Sequence, residues 1–189
     1  GKNDVSPKFQ ISQKLYGRDN EILDMLTAFR QLADCHSMFI SVKGHPGSGK
    51  SSLVGELYRP ITEKGGYFIS GKFEQFKRDI PYFAFISAFT KLFQTILTED
   101  EESVALWKKK LVTALSGNAH LIIELIPELK LLLGSQPLPA ELSSMEAHNR
   151  FVLTFQKMVE IFADKEHPLV MFVDDLQWAD QASLDLLKV

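Results

Sequence analysis

Eight consecutive residues, Gly44-His45-Pro46-Gly47-Ser48-Gly49-Lys50-Ser51, constrain this chain more than any other stretch. They follow the apolar run Met38-Phe39-Ile40-Ser41-Val42, which has strand length, and lead into Ser52-Leu53-Val54-Gly55-Glu56-Leu57, which reads as a helix. Strand, glycine-rich turn, lysine, hydroxyl and helix form the setting in which G-x-x-x-x-G-K-[ST] denotes a phosphate-holding loop. Gly44, Gly47 and Gly49 have no side chain to obstruct close approach, so successive backbone N–H groups can point inward at an anion. Lys50 brings a full charge to the outer phosphates, and the Ser51 hydroxyl is suited to magnesium. His45, Pro46, Ser48 and Ser52 complete the binding stretch, which works through its backbone, so no imidazole chemistry is expected of His45.

A second segment supplies what such a loop needs. Leu169-Val170-Met171-Phe172-Val173 is a five-residue apolar run that ends in Asp174-Asp175. A strand here fixes Asp174 at its carboxyl end, where it can hold magnesium through water beside Ser51. Asp175 falls on the other side of the backbone and is the candidate to orient or deprotonate an attacking water. Among the residues that follow, Gln177 is expected near phosphate, Trp178 as a packing anchor and Asp180 as the cap of a helix over 181–188.

Between these segments the pattern is mostly helical. Asp19 or Asn20 is expected to cap a helix whose apolar face is Ile22, Leu23, Leu26, Phe29, Leu32 and Ala33. The run 38–43 reads as a central parallel strand buried on both sides. The helix after the loop is expected to stop near Tyr58, because Pro60 cannot continue it. Tyr67-Phe68-Ile69-Ser70-Gly71 reads as the next strand, and Lys72–Asp79 as a surface loop pinned by Phe73 and Phe76. A helix opened by Pro81 runs to Leu97, and one capped by Thr98-Glu99-Asp100-Glu101 runs to Leu115. Two short helices broken by Pro127 follow, and Ser143-Ser144-Met145-Glu146 opens a helix to Ala163. Residues 74–165 are thus a helical block between two strands, longer than an ordinary crossover.

Composition closes off other classes. The 189 residues suffice for one core, and 45% are hydrophobic, as in a folded globular protein. With 21 basic against 24 acidic residues, the net charge of −3 offers no bulk attraction for nucleic acid or an anionic membrane. No apolar run reaches the roughly 18 residues of a membrane span, and Cys35 alone cannot build a disulfide framework, so the cytoplasm is the expected compartment. His36, His45, His120, His148 and His167 have no metal-ligand spacing.

Tyr16-Gly17-Arg18-Asp19-Asn20-Glu21, the loop Gly44–Ser52 and Val173-Asp174-Asp175-Leu176-Gln177-Trp178-Ala179-Asp180 together resemble the ATPase module of the STAND class of AAA-type proteins. Such modules occur in multi-sensor kinases that join a serine/threonine kinase-like part to a histidine kinase, and in maltose-regulator-like activators. The resemblance implies an α/β fold: a three-layer P-loop NTPase with a parallel sheet and a helical insertion, 74–165, between its second and third strands. Residues 1–14 would be a linker or tail and 15–189 a partial ATP-binding domain, truncated at its C-terminal side. In the family's sheet order of five-one-four-three-two, the strands expected here are the first three. The resemblance also implies ATP and Mg2+ as cofactors, Gly17 and Arg18 near the adenine, and Lys50 and Asp175 as catalytic residues. Ser51 and Asp174 would sit on the metal side. Its partners would be other domains of the same polypeptide, with a possible protein partner on the insertion. A P-loop phosphotransferase would need an arginine-rich lid, which the dispersed Arg59, Arg78 and Arg150 do not form. A non-catalytic scaffold is the other alternative.

Overall fold

In the computed structural model, residues 17–31, 37–138, 143–163 and 167–188 are described. The expected tail, Tyr16, Leu32, Ala33, Cys35, His36, Pro139 and the turn at 164–166 lie outside them. The chain divides into two bodies, one ending at Pro60 and the other beginning at Ile61.

In the first body, α1 spans Asp19–Gln31, with Asp19 and Glu21 in its first turn, where the positive end of a helix favours carboxylates. The Ile22 N–H donates to the Arg18 carbonyl at 3.0 Å, so the cap falls on Arg18, one residue before the expected Asp19. Met25 and Phe29 are buried and Ile22 and Leu26 half-buried, a stripe at spacings of three and four. Leu23, expected on that face, is 56% exposed, because it sits one helical step off the stripe.

The expected central strand does not form. Residues 37–45 carry no regular secondary structure, and Met38, Phe39 and Ile40 are exposed. Among the described residues this run has no neighbouring strand, and an extended segment without a ladder is not a strand, however apolar it is. The helix after the loop, α2, covers only Lys50–Gly55, and the N–H groups of Glu56 and Leu57 tighten onto the carbonyls of Leu53 and Val54. A new helix, α3, runs Tyr58–Glu63 with Pro60 in its first turn, where a missing N–H costs no helical bond. Pro60 therefore begins one helix instead of ending another.

The second body holds a two-stranded parallel sheet. β1, Tyr67–Lys72, pairs with β2, Leu169–Asp174, in a register running from Tyr67↔Leu169 to Lys72↔Asp174. Along its whole length β2 is half-buried rather than enclosed. Between the strands lie α4 (Phe83–Ile96), α5 (Glu101–Leu115), α6 (Ala119–Leu125), α7 (Glu128–Leu133) and α8 (Ser144–Phe162). The short α9, Gln181–Leu186, follows β2.

One core runs through this body, from Ile69 on β1 to Phe85, Phe89 and Phe93 on α4 and Phe155 and Phe162 on α8. Tyr67, Trp107, Phe93 and Phe162 meet at ring-centroid distances of 5.0 to 6.0 Å, within the range of favourable aromatic pairs. α4 presses so closely on β1 that a Cβ on Gly71 would strike the Ala84 carbonyl oxygen. The loop after β1 is pinned by Phe73, which is 2% exposed, but not by Phe76, which is 94% exposed.

The start of α5 is capped by Asp100, whose side chain accepts from the Ser103 N–H, and not by Thr98. The Thr98 hydroxyl instead donates back to the Thr95 carbonyl at 2.7 Å and closes α4. The expected box at Ser143 and Glu146 is present, and Pro127 separates α6 from α7 as expected. No helix among the described residues is long and apolar enough to cross a membrane.

Candidate functional site

The first body carries the glycine loop. Gly47 and Gly49 hold φ of 77° and 83°, left-handed values that an L side chain rarely adopts. A Cβ on Gly44 would lie 2.8 Å from the Ser48 hydroxyl, which would have to turn away. The turn closes through Ser48 N–H to the His45 carbonyl at 3.2 Å, and α2 starts with Leu53 N–H on the Gly49 carbonyl at 2.9 Å.

Lys50 folds back over the loop. Its Nζ donates to the carbonyls of Gly44 and His45, both at 3.0 Å. An ammonium has three hydrogens, so one donor remains for an anion while the other two tie the loop together. Gly44 to Gly47 are exposed, with Pro46 at the apex of the turn, Ser48 to Lys50 are half-buried, and Ser51 and Ser52 are exposed. Arg18 comes onto the same loop: Nη2 reaches the Ser48 carbonyl at 3.3 Å, while Nη1 holds Glu21 at 2.9 Å. Gly17, immediately before it, takes a φ of 74°. Arg18 is thus tied to the glycine loop by a hydrogen bond.

The second body carries the acidic strand end. Asp174 is the last residue of β2, opposite Lys72. Asp175 leaves the strand with φ 54°, and its N–H donates to the Asp174 Oδ1 at 2.9 Å. Its carboxylate is engaged at both oxygens: Lys72 Nζ lies 3.0 Å from Oδ2, and Gln177 Nε2 donates to Oδ1 at 2.9 Å. The hydrogen bond and charge of Asp175 hold the Lys72 ammonium above the usual lysine range. Sequence reasoning placed Gln177 near phosphate and Lys72 in a surface loop, and did not link either to Asp175. The available signal was topological: if 67–72 and 169–174 are adjacent parallel strands, their last residues share one edge. Asp180 caps α9 as expected, accepting from Ser183 N–H at 2.8 Å, and Trp178 packs on the core with the Arg78 guanidinium 5.9 Å from its ring centre.

The loop's donors suit an anionic group such as phosphate. Left-handed glycines and an exposed hydroxyl offer N–H groups and oxygen, and magnesium keeps several waters while using one or two carboxylates. Such an ion does not require a protein cage, and no group of three His, Cys, Asp or Glu side chains placed to hold a metal occurs among the described residues.

Comparison with known proteins now decides the family. The model of the AAA ATPase domain matches residues 14–189. The chain belongs to the AAA ATPase domain family. It is 36% identical over 189 residues to the hybrid signal transduction histidine kinase G of Dictyostelium discoideum, covering 100% of this chain and 5% of that protein. It is 25% identical over 206 residues to histidine protein kinase 1 of Candida albicans, covering 98% of this chain and 8% of that protein. The chain therefore spans a small part of these curated relatives. No solved structure matches it.

Proposed function

We propose that this AAA domain is a magnesium-dependent ATP switch within a longer signalling protein, binding ATP on the loop Gly44–Ser52 and hydrolysing it slowly. The observation that carries this reading is the loop itself: two left-handed glycines and the Lys50 ammonium folded onto the carbonyls of Gly44 and His45. In this reading backbone N–H groups and Lys50 take the phosphates, and Gly17-Arg18 borders the adenine. Ser51 and Asp174 are the magnesium-side residues, and Asp175 is the carboxylate that acts on water.

The architecture that accompanies it is a three-layer P-loop fold of the STAND class, with 74–165 as an insertion. In that order the paired segments 67–72 and 169–174 are the neighbouring second and third strands. Signalling relatives with histidine kinase in their names support a role in which nucleotide state changes the arrangement of adjoining domains.

Calorimetric titration with magnesium ATP tests the assignment. A charge-assisted contact from Lys50 implies that Lys50→Ala weakens binding by about tenfold or more. Equal affinity in both proteins would remove the phosphate site from this loop.

A further inference from the structure

Within the second body, the turn between α5 and α6 stands across a cleft from α8. Asn118 of that turn and Asn149, Arg150, Leu153 and Lys157 of α8 line the cleft, whose volume is about 320 Å³. We propose that it binds a small organic anion: Arg150, Lys157 and the two asparagine amides take a carboxylate or phosphate, and Leu153 packs on the apolar body attached to it. This site shares no residue with the proposed ATP site.

Helical spacing brings the α8 residues together. Positions 146, 149, 150, 153, 154 and 157 recur at three and four and form one stripe about 16 Å long. A neighbouring stripe, Phe155, Met158 and Phe162, is buried in the core and holds the helix in place. On the other wall, left-handed φ values of 44° at Ser116 and 80° at Gly117 turn the chain, and the buried Ala119 and Ile122 anchor it just beyond Asn118. Both walls are set before a ligand arrives, which lowers the ordering cost of binding.

The polar groups that meet here are largely uncommitted. The Asn118 side chain does not cap α6, and among the described residues the side chains of Asn118, Asn149 and Lys157 make no hydrogen bond or ion pair. Glu146, at one end of the cleft, is engaged by Ser143, whose hydroxyl and N–H donate to its Oε2 at 2.6 and 3.2 Å. The Thr154 hydroxyl donates to the Arg150 carbonyl at 2.6 Å and is thereby turned onto its own helix. Two cations and two amides thus face one carboxylate already in use, a balance that favours an anion. A guanidinium can hold a carboxylate or phosphate through two bonds, and a cleft of this size takes a small molecule.

The test follows the Asn118 and Asn149 side-chain amides and the Arg150 Nε–H by NMR during titration with hexyl phosphate, hexanoate, hexanol and inorganic phosphate. Hexyl phosphate or hexanoate is expected to shift these signals saturably at millimolar concentration, and the tighter of the two identifies the anionic head. Hexanol should leave them unmoved, and inorganic phosphate should bind at least about threefold more weakly than hexyl phosphate. Lys157→Met and Asn149→Asp lie at exposed positions, so both variants should fold, as thermal melts will show, and each should weaken binding about tenfold. No saturable shift from either hexyl anion overturns the site, as does equal binding by the variants or by hexanol. Inorganic phosphate binding as tightly as hexyl phosphate overturns the role of Leu153.

Discussion

Two short apolar runs, Met38–Val42 and Leu169–Val173, look alike in sequence and behave differently in the fold. The second is a strand, held along its length by β1 and backed by the aromatic core of α4 and α8. The first has no secondary structure, and its Phe39 is 69% exposed. A strand is a property of a pair: five apolar residues supply a face to bury, but the ladder must come from a neighbour. The body around β1 and β2 has its neighbours and its core, whereas the body around the glycine loop is shaped by turns, short helices and hydrogen bonds to backbone carbonyls.

The widest gap should come from phenylalanine truncation. Phe93 is fully buried and meets Phe89 and Phe162, so Phe93→Ala is expected to cost about 3–5 kcal/mol in urea denaturation. Phe39→Ala should stay within about 0.5 kcal/mol, as exposed positions do. Similar losses at both sites would show that the run around Phe39 is packed as firmly as the aromatic core behind β2.

Glycines sharpen the same contrast. Gly71→Ala drives a methyl group into the Ala84 carbonyl, and the forced separation of α4 from β1 should cost about 1–3 kcal/mol. An added Cβ on Gly55, at the end of α2, meets nothing within 4 Å, so Gly55→Ala should stabilise by about 0.4–1 kcal/mol. Thermal melts of the two variants read both signs.

The smallest effect is that of acid on a cap. Hydrogen bonds from Ser103 to Asp100 hold its carboxyl below the ordinary 3.8. A depressed carboxylate contributes stability that is present above its unfolded value and lost as the pH falls through the folded one. Asp100→Asn should therefore lower the urea midpoint slightly at pH 6, with the difference closing as the pH drops below about 3.8.

What was legible in the sequence was mostly local. The capping box at Ser143, the break at Pro127, the cap at Asp180 and the extended runs at 67–71 and 169–173 each depend on a few adjacent residues. Where two local signals competed, the reading slipped. Pro60 suits the first turn of a helix as well as a stop, and at the start of α5 Asp100, not Thr98, accepts from the Ser103 N–H. At the site, the loop glycines could be read because their conformations follow from having no side chain. The Lys72–Asp175 pair could not, since 103 positions separate the partners and only the register of two parallel strands brings them together.

The account depends most on the loop Gly44–Ser52 gripping phosphate through its backbone. Amide chemical shifts followed during titration with magnesium ATP test this directly. The account predicts that the N–H groups of Gly47, Gly49, Lys50 and Ser51 move most, and saturate together. Saturation with those amides unmoved, or with the large shifts confined to another part of the chain, would contradict it.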